Sequence, residues 1–191
     1  MRVHPNKKAI RALGIAESFR RTDRFSRIAG VVMRSDLVVD GFVFGRARVG
    51  GNDATSALTR MCRRLHRDDV NVLLLSGAII SYYNVVDVDE LSAKTGLPVV
   101  CLTYRPSSGI AESLRTRFAD WEVKLALYEK LGARTPLDLR TGRRVYARLA
   151  GIGRDEARMV VDAFALQGSY AEPVRVARLL ARARHADQAA T

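Results

Sequence analysis

Tyr82, Tyr83 and Asn84 stand in a polar loop that follows the apolar run Val70–Leu75 and the step Ser76-Gly77. Two aromatic rings beside a primary amide suit stacking on an extruded base and reading its edge. The competing role is structural, with one tyrosine on the core and the other simply exposed. The acids pose a similar choice. Glu17 ends an apolar run, Asp53 opens a helical stripe, and Asp87 and Asp89 open another. Phosphodiester hydrolysis at strand ends needs two or three converging carboxylates to hold Mg²⁺ or Mn²⁺, which stabilises the oxyanion and activates water. Glu17 and Asp53 are the candidate ligands, although an aspartate at a helix start more often caps backbone N–H groups. Arg175, Arg178 and Arg182, three and four apart, share one helix face. They suit a phosphate-tracking stripe or a solvated back face.

The elements that would position these groups are legible in outline. Runs at 9–17, 27–34 and 37–49, joined by short polar segments, predict an antiparallel meander. From Asp53, the residues Ala54, Ala57, Leu58, Met61, Cys62 and Leu65 fall at helical spacing. Val70–Leu75 predicts a buried parallel strand, and Leu97–Thr103 the next, with a helix over 86–94 ending at Gly96 between them. A helical region over 108–131 breaks near Phe118-Ala119-Asp120, and a hairpin over 137–149 turns at Arg140-Thr141-Gly142. Helices over 155–166 and 172–184 follow, the second with Pro173 at its first turn and with Val174, Val176, Leu179 and Leu180 inward. Residues 185–191 read as a frayed tail after a single domain over 1–184. A meander continued by parallel β–α units is the ribonuclease H-like α/β plan.

Composition narrows the class. The 191 residues carry 32 Lys and Arg against 20 Asp and Glu, a net charge of +12. Such a surplus, nearly all arginine, favours a polyanionic partner, most simply nucleic acid. Mean hydropathy is −0.07 and no apolar run approaches the length that spans a bilayer, so a membrane partner is not expected. Cys62 and Cys101, without CxxC spacing, read as reduced core residues. Together with an N-terminus lacking a secretory apolar stretch, they predict a cytoplasmic protein. Oligomeric state is left open.

The strings HPNKKAIRALGI, IAGVVMR, GGNDAT, SGAIISYYNVVDVDEL with TGLPVV, GRRVYARLAGI and AEPVRVARLLA occur in order along the chain. In these the sequence resembles the endonuclease dU family, formerly an uncharacterised family found mainly in archaea and related to endonuclease V. The resemblance implies a ribonuclease H-like fold and a DNA repair endonuclease, a divalent-metal hydrolase acting on deaminated bases, especially deoxyuridine. The chain departs from that pattern at chemically decisive places. Gly14-Ile15-Ala16-Glu17 stands where the family reads G-I-D-D, Leu75-Ser76-Gly77 where it reads L-D-G, and Val49-Gly50-Gly51 where it reads V-D-G. Ala177-Arg178-Leu179 replaces A-H-L. Asp53-Ala54-Thr55 is kept. Ala16 and Ser76 thus occupy expected aspartate positions. Two functions follow: an active endonuclease with its metal held by Glu17 and Asp53, or a catalytically inactive paralogue that binds nucleic acid or serves as an accessory protein-interaction subunit. Arg178, replacing a histidine, suits phosphate binding better than proton transfer.

Overall fold

The computed structural model describes residues 10–105 and 109–189, with the side chains of 188 and 189 excepted. In chain order, β1 (Arg11–Ser18), β2 (Phe25–Arg34) and β3 (Val39–Arg48) form the meander, and α1 (Ala54–Leu65) leads to β4 (Val72–Leu75). A short hairpin of β5 (Ile79–Ile80) and β6 (Asn84–Val85) precedes α2 (Val88–Thr95) and β7 (Val99–Thr103). Then come α3 (Ala111–Arg117), α4 (Trp121–Lys130), β8 (Thr135–Asp138), β9 (Arg144–Ala150), α5 (Arg154–Phe164) and α6 (Glu172–Ala189). The main sheet has seven strands in the order β3-β2-β1-β4-β7-β9-β8. β4 is parallel to β1 and β7, and the remaining pairs are antiparallel. The elements read from the sequence occur in the order read, with the β5–β6 hairpin standing where the sequence reads as a polar loop.

Four completely buried residues make β4 the apolar centre that its unbroken hydrophobic run requires. Strand alternation then sorts the neighbouring side chains. Leu13 and Ile15 of β1 join a core under α1 and α2, whereas Ala12 and Ala16 face α5 and α6. α6 lies very close to β1: a Cβ built on Gly14 would fall 2.2 Å from the Pro173 carbonyl carbon. Glycine is what lets the helix seat there.

Several boundaries differ from the sequence reading for local reasons. α2 begins at Val88 because Asp87 caps it, its carboxylate accepting the Glu90 N–H at 3.0 Å. α6 runs on to Ala189, so the segment read as a frayed tail from 185 is helical that far, and His185 meets the Ser18 hydroxyl and Asp23, each at 3.0 Å. α6 buries Val174, Ala177 and Ala181, while Leu179 is exposed. The small residues allow the close approach at Gly14, and the helix turns accordingly. Ala9 and Ser108, where the sequence starts a strand and a helix, and residues 190 and 191 lie outside the described residues. No described helix is long and apolar enough to cross a membrane.

Candidate functional site

The carboxyl ends of β4 and β7 open into a cleft of about 410 Å³, the usual place for ligands in an open α/β sheet. Ser76 ends β4 at one wall, Thr103 and Tyr104 end β7 at another, and Arg178 and Tyr170 close it from α6 and the segment before it. Arg105 and Arg134 also line it, and among the described residues no lining residue is acidic. Arg178 donates directly to the Ser76 hydroxyl and lies 5.8 Å from the centre of the Tyr170 ring. The Tyr104 and Tyr170 rings pack with centroids 4.2 Å apart. The buried Tyr104 hydroxyl has no hydrogen-bond partner among the described residues, and burial raises the phenol's pKa, keeping it a donor.

Ala16, the other expected acid position, is buried against Ala177 with Leu180 alongside. Glu17, one residue on, points to the opposite face of the sheet. Burial pushes its carboxyl up from 4.5 to about 7, against the pull of the Glu17 and Ser81 backbone N–H groups and the Arg178 charge. The Ser81 donor is set by an unusual turn. Ser81, Tyr82 and Tyr83 all lie in the left-handed region, with φ of 48, 60 and 59°. For side-chain-bearing residues this costs roughly 1–2 kcal/mol each. The turn is held by the Ser26–Ser81 hydroxyl pair, by the Gly50 N–H donating to the Ser81 carbonyl at 2.8 Å, and by Asn84.

Asn84 is completely buried. Its amide oxygen accepts the Ala54 N–H at 2.9 Å, and its amide nitrogen donates to the Arg48 carbonyl at 3.0 Å and Asp53 Oδ1 at 2.8 Å. The sequence reading weighed base recognition against a structural role for this stretch; here the Asn84 amide joins the hairpin to α1. Asp53 departs from the side-chain cap expected at the helix start. It makes no side-chain cap, its carboxylate taking the Arg48 N–H at 3.0 Å and the Asn84 amide, so that Asn84 serves the helix start in its place. Tyr82 and Tyr83 are half-buried and pack edge-on, centroids 5.1 Å apart, each 5.6 Å from Phe118. Neither lines the cleft.

The α6 arginines separate in role. Arg178 enters the cleft, Arg175 is gripped by both carboxylate oxygens of Glu172, Arg182 is exposed, and Arg184 lies over the Phe44 ring at 4.1 Å. Sequence reasoning missed Thr103, Tyr104, Arg134 and Tyr170, although Tyr104 at the end of an apolar parallel strand was an available signal. It also missed Lys124. This lysine is completely buried and donates to the Gly50 and Gly51 carbonyls at 3.0 and 2.6 Å and to Asn52 Oδ1 at 2.7 Å, bracing the loop ahead of α1.

The donors do not suit a hard divalent cation. Such an ion wants anionic oxygens in an open coordination sphere. The two positions where aspartates are expected, Ala16 and Ser76, offer a methyl group and a hydroxyl already bonded to a guanidinium. Glu17 faces away and resists ionisation, Asp53 is tied to Asn84, and no group of three or more His, Cys, Asp or Glu suited to a metal occurs among the described residues.

The pattern described as endonuclease dU matches residues 8–185. The chain belongs to the endonuclease dU family. A UPF0215 protein of Pyrobaculum calidifontis is 38% identical over 88% of this chain and 93% of its own length. A crystal structure of a protein of unknown function from Archaeoglobus fulgidus superposes with a TM-score of 0.81 at 30% identity, covering 92% of this chain and 98% of that one. Endonuclease V of Ciona intestinalis, solved with a 24-mer DNA containing an inosine followed by a ribo-adenosine, gives a TM-score of 0.61 at 10% identity over 94% of this chain and 87% of its own. The last likeness shows the fold, ribonuclease H-like, which this member of the endonuclease dU family shares.

Proposed function

We propose that this chain is a nucleic-acid-binding member of the endonuclease dU family in which a permanent cation has taken over the place of the catalytic metal. The observation that carries this is the Arg178–Ser76 bond. At the end of the central strand, where an aspartate would be expected to hold Mg²⁺ or Mn²⁺, a serine presents its hydroxyl to an arginine. A guanidinium there repels a divalent cation and attracts a phosphate. The net charge of +12 supports a polyanionic partner, and the endonuclease V relative crystallised with DNA supports nucleic acid as its class. DNA containing deoxyuridine, the substrate suggested by the family's name, is the first probe to use. On this reading the chain binds such a strand without hydrolysing it.

The test is binding of a labelled oligonucleotide across a salt series, in EDTA and in Mg²⁺. Affinity should fall steeply with salt, by about 0.9 in log K per log salt for each duplex phosphate neutralised, and should be the same with and without metal. Binding that appears only with metal, or that ignores salt, would overturn the proposal.

A further inference from the structure

We infer that the cleft between β4, β7 and α6 is a metal-independent receptor for a phosphomonoester carried at the end of a nucleic-acid strand. This rests on the nucleic-acid reading above and names the group that is gripped. Arg105, Arg134 and Arg178 line the cleft with no acid among them, so its field selects an anion. The Tyr104 hydroxyl is a buried donor without an acceptor among the described residues. Leaving such a group unpaired costs roughly 1–3 kcal/mol, a penalty removed when an anionic oxygen enters. The Ser76 and Thr103 hydroxyls stand on the same walls, bonded to Arg178 and to the Tyr146 carbonyl respectively, and each retains lone pairs and the freedom to re-pair.

The cluster fits a terminal phosphate better than a bridging one. A monoester carries close to two negative charges at pH 7 and three terminal oxygens, against one charge and two such oxygens for a diester. Guanidinium groups from three segments, after β7, before β8 and on α6, lining the same cleft as a phenol, match the larger charge and the extra acceptor. Tyr170, stacked on Tyr104 and 39% exposed, leaves aromatic surface beside the arginines for the adjoining sugar or base.

The experiment is fluorescence anisotropy in EDTA with three single strands of one sequence: 5′-phosphorylated, 3′-phosphorylated and unphosphorylated. At least one phosphorylated strand should bind roughly tenfold more tightly than the unphosphorylated one. Tyr104→Phe, which keeps the ring, should erase most of the preference for the phosphorylated strand, and Arg178→Gln should abolish it. Equal affinity for all three strands overturns the inference while leaving the nucleic-acid reading intact. If no strand binds, that reading fails, and a deoxynucleoside 5′-monophosphate titration decides the cleft. Binding that is sensitive to Tyr104→Phe keeps the phosphomonoester and removes the strand; no binding overturns both.

Discussion

Replacing Glu17 by glutamine should stabilise the protein at alkaline pH and leave it unchanged in acid. The carboxyl sits behind the Ser81 turn, and burial lifts it from 4.5 to about 7 despite two backbone N–H donors and Arg178. Because its folded value exceeds its unfolded one, the protonated form is the one folding prefers. Below about pH 4.5 the group is protonated in both states and carries no penalty. Between about 4.5 and 7 the unfolded chain ionises first, so stability falls, and above 7 the loss is complete. The full shift corresponds to about 3 kcal/mol, and partial exposure of the side chain reduces this to about 2. Glutamine keeps an oxygen for the Ser81 N–H and has no charge to desolvate. For a chain of this length, 2 kcal/mol is roughly 4–8 °C in Tm. Thermal unfolding of both proteins at pH 4.5 and 8.5 measures the difference, in which other titrating groups cancel. A variant less stable at pH 8.5 would refute the reasoning, because it would mean that Glu17 is ionised and paired, as a metal ligand must be.

Lys124→Met should cost about 3 kcal/mol in urea unfolding, since it strips three acceptors of a buried cation; an unchanged midpoint would show that water replaces it. Asn84→Ala should cost about 2 kcal/mol by orphaning the Ala54 N–H and Asp53, whereas weakened strand binding at full stability would return the amide to base recognition. Gly14→Ala should destabilise by about 2 kcal/mol, because its Cβ cannot share space with the Pro173 backbone, and should weaken strand binding as Arg178 moves with α6. Retention of both properties would mean that α6 is not fixed by that contact. Arg182→Ala should flatten the log–log salt slope of duplex binding by about 0.9 if this exposed arginine neutralises one phosphate, and an unchanged slope removes it from the contact.

The sheet was legible in the sequence because its signals are local. An unbroken apolar run, short polar connections and glycine-closed helices fix β4, the meander and α2 within their own segments. Ala16 and Glu17 were also separable in advance, since strand alternation alone sends them to opposite faces. The chemistry of the cleft was not legible, because it depends on contacts between residues far apart in the chain. Ser76 looks like a missing ligand until Arg178 is found bonded to it, and Tyr104 means little until Tyr170 stacks on it. Asp53 carries every local mark of a cap, yet Asn84, arriving from the hairpin, takes the helix N–H and ties up the carboxylate as well. Lys124 sits among exposed residues of α4, and only the bare carbonyls of Gly50 and Gly51 explain its burial.

Incubation of the natural chain with a deoxyuridine-containing duplex in Mn²⁺, beside the triple variant Ala16→Asp/Ser76→Asp/Arg178→His, tests the central claim most directly. The natural chain should bind the duplex and leave it intact, any cutting coming from the variant alone. Cutting by the natural chain, abolished by Glu17→Gln, would contradict it and restore a working metal centre to this fold.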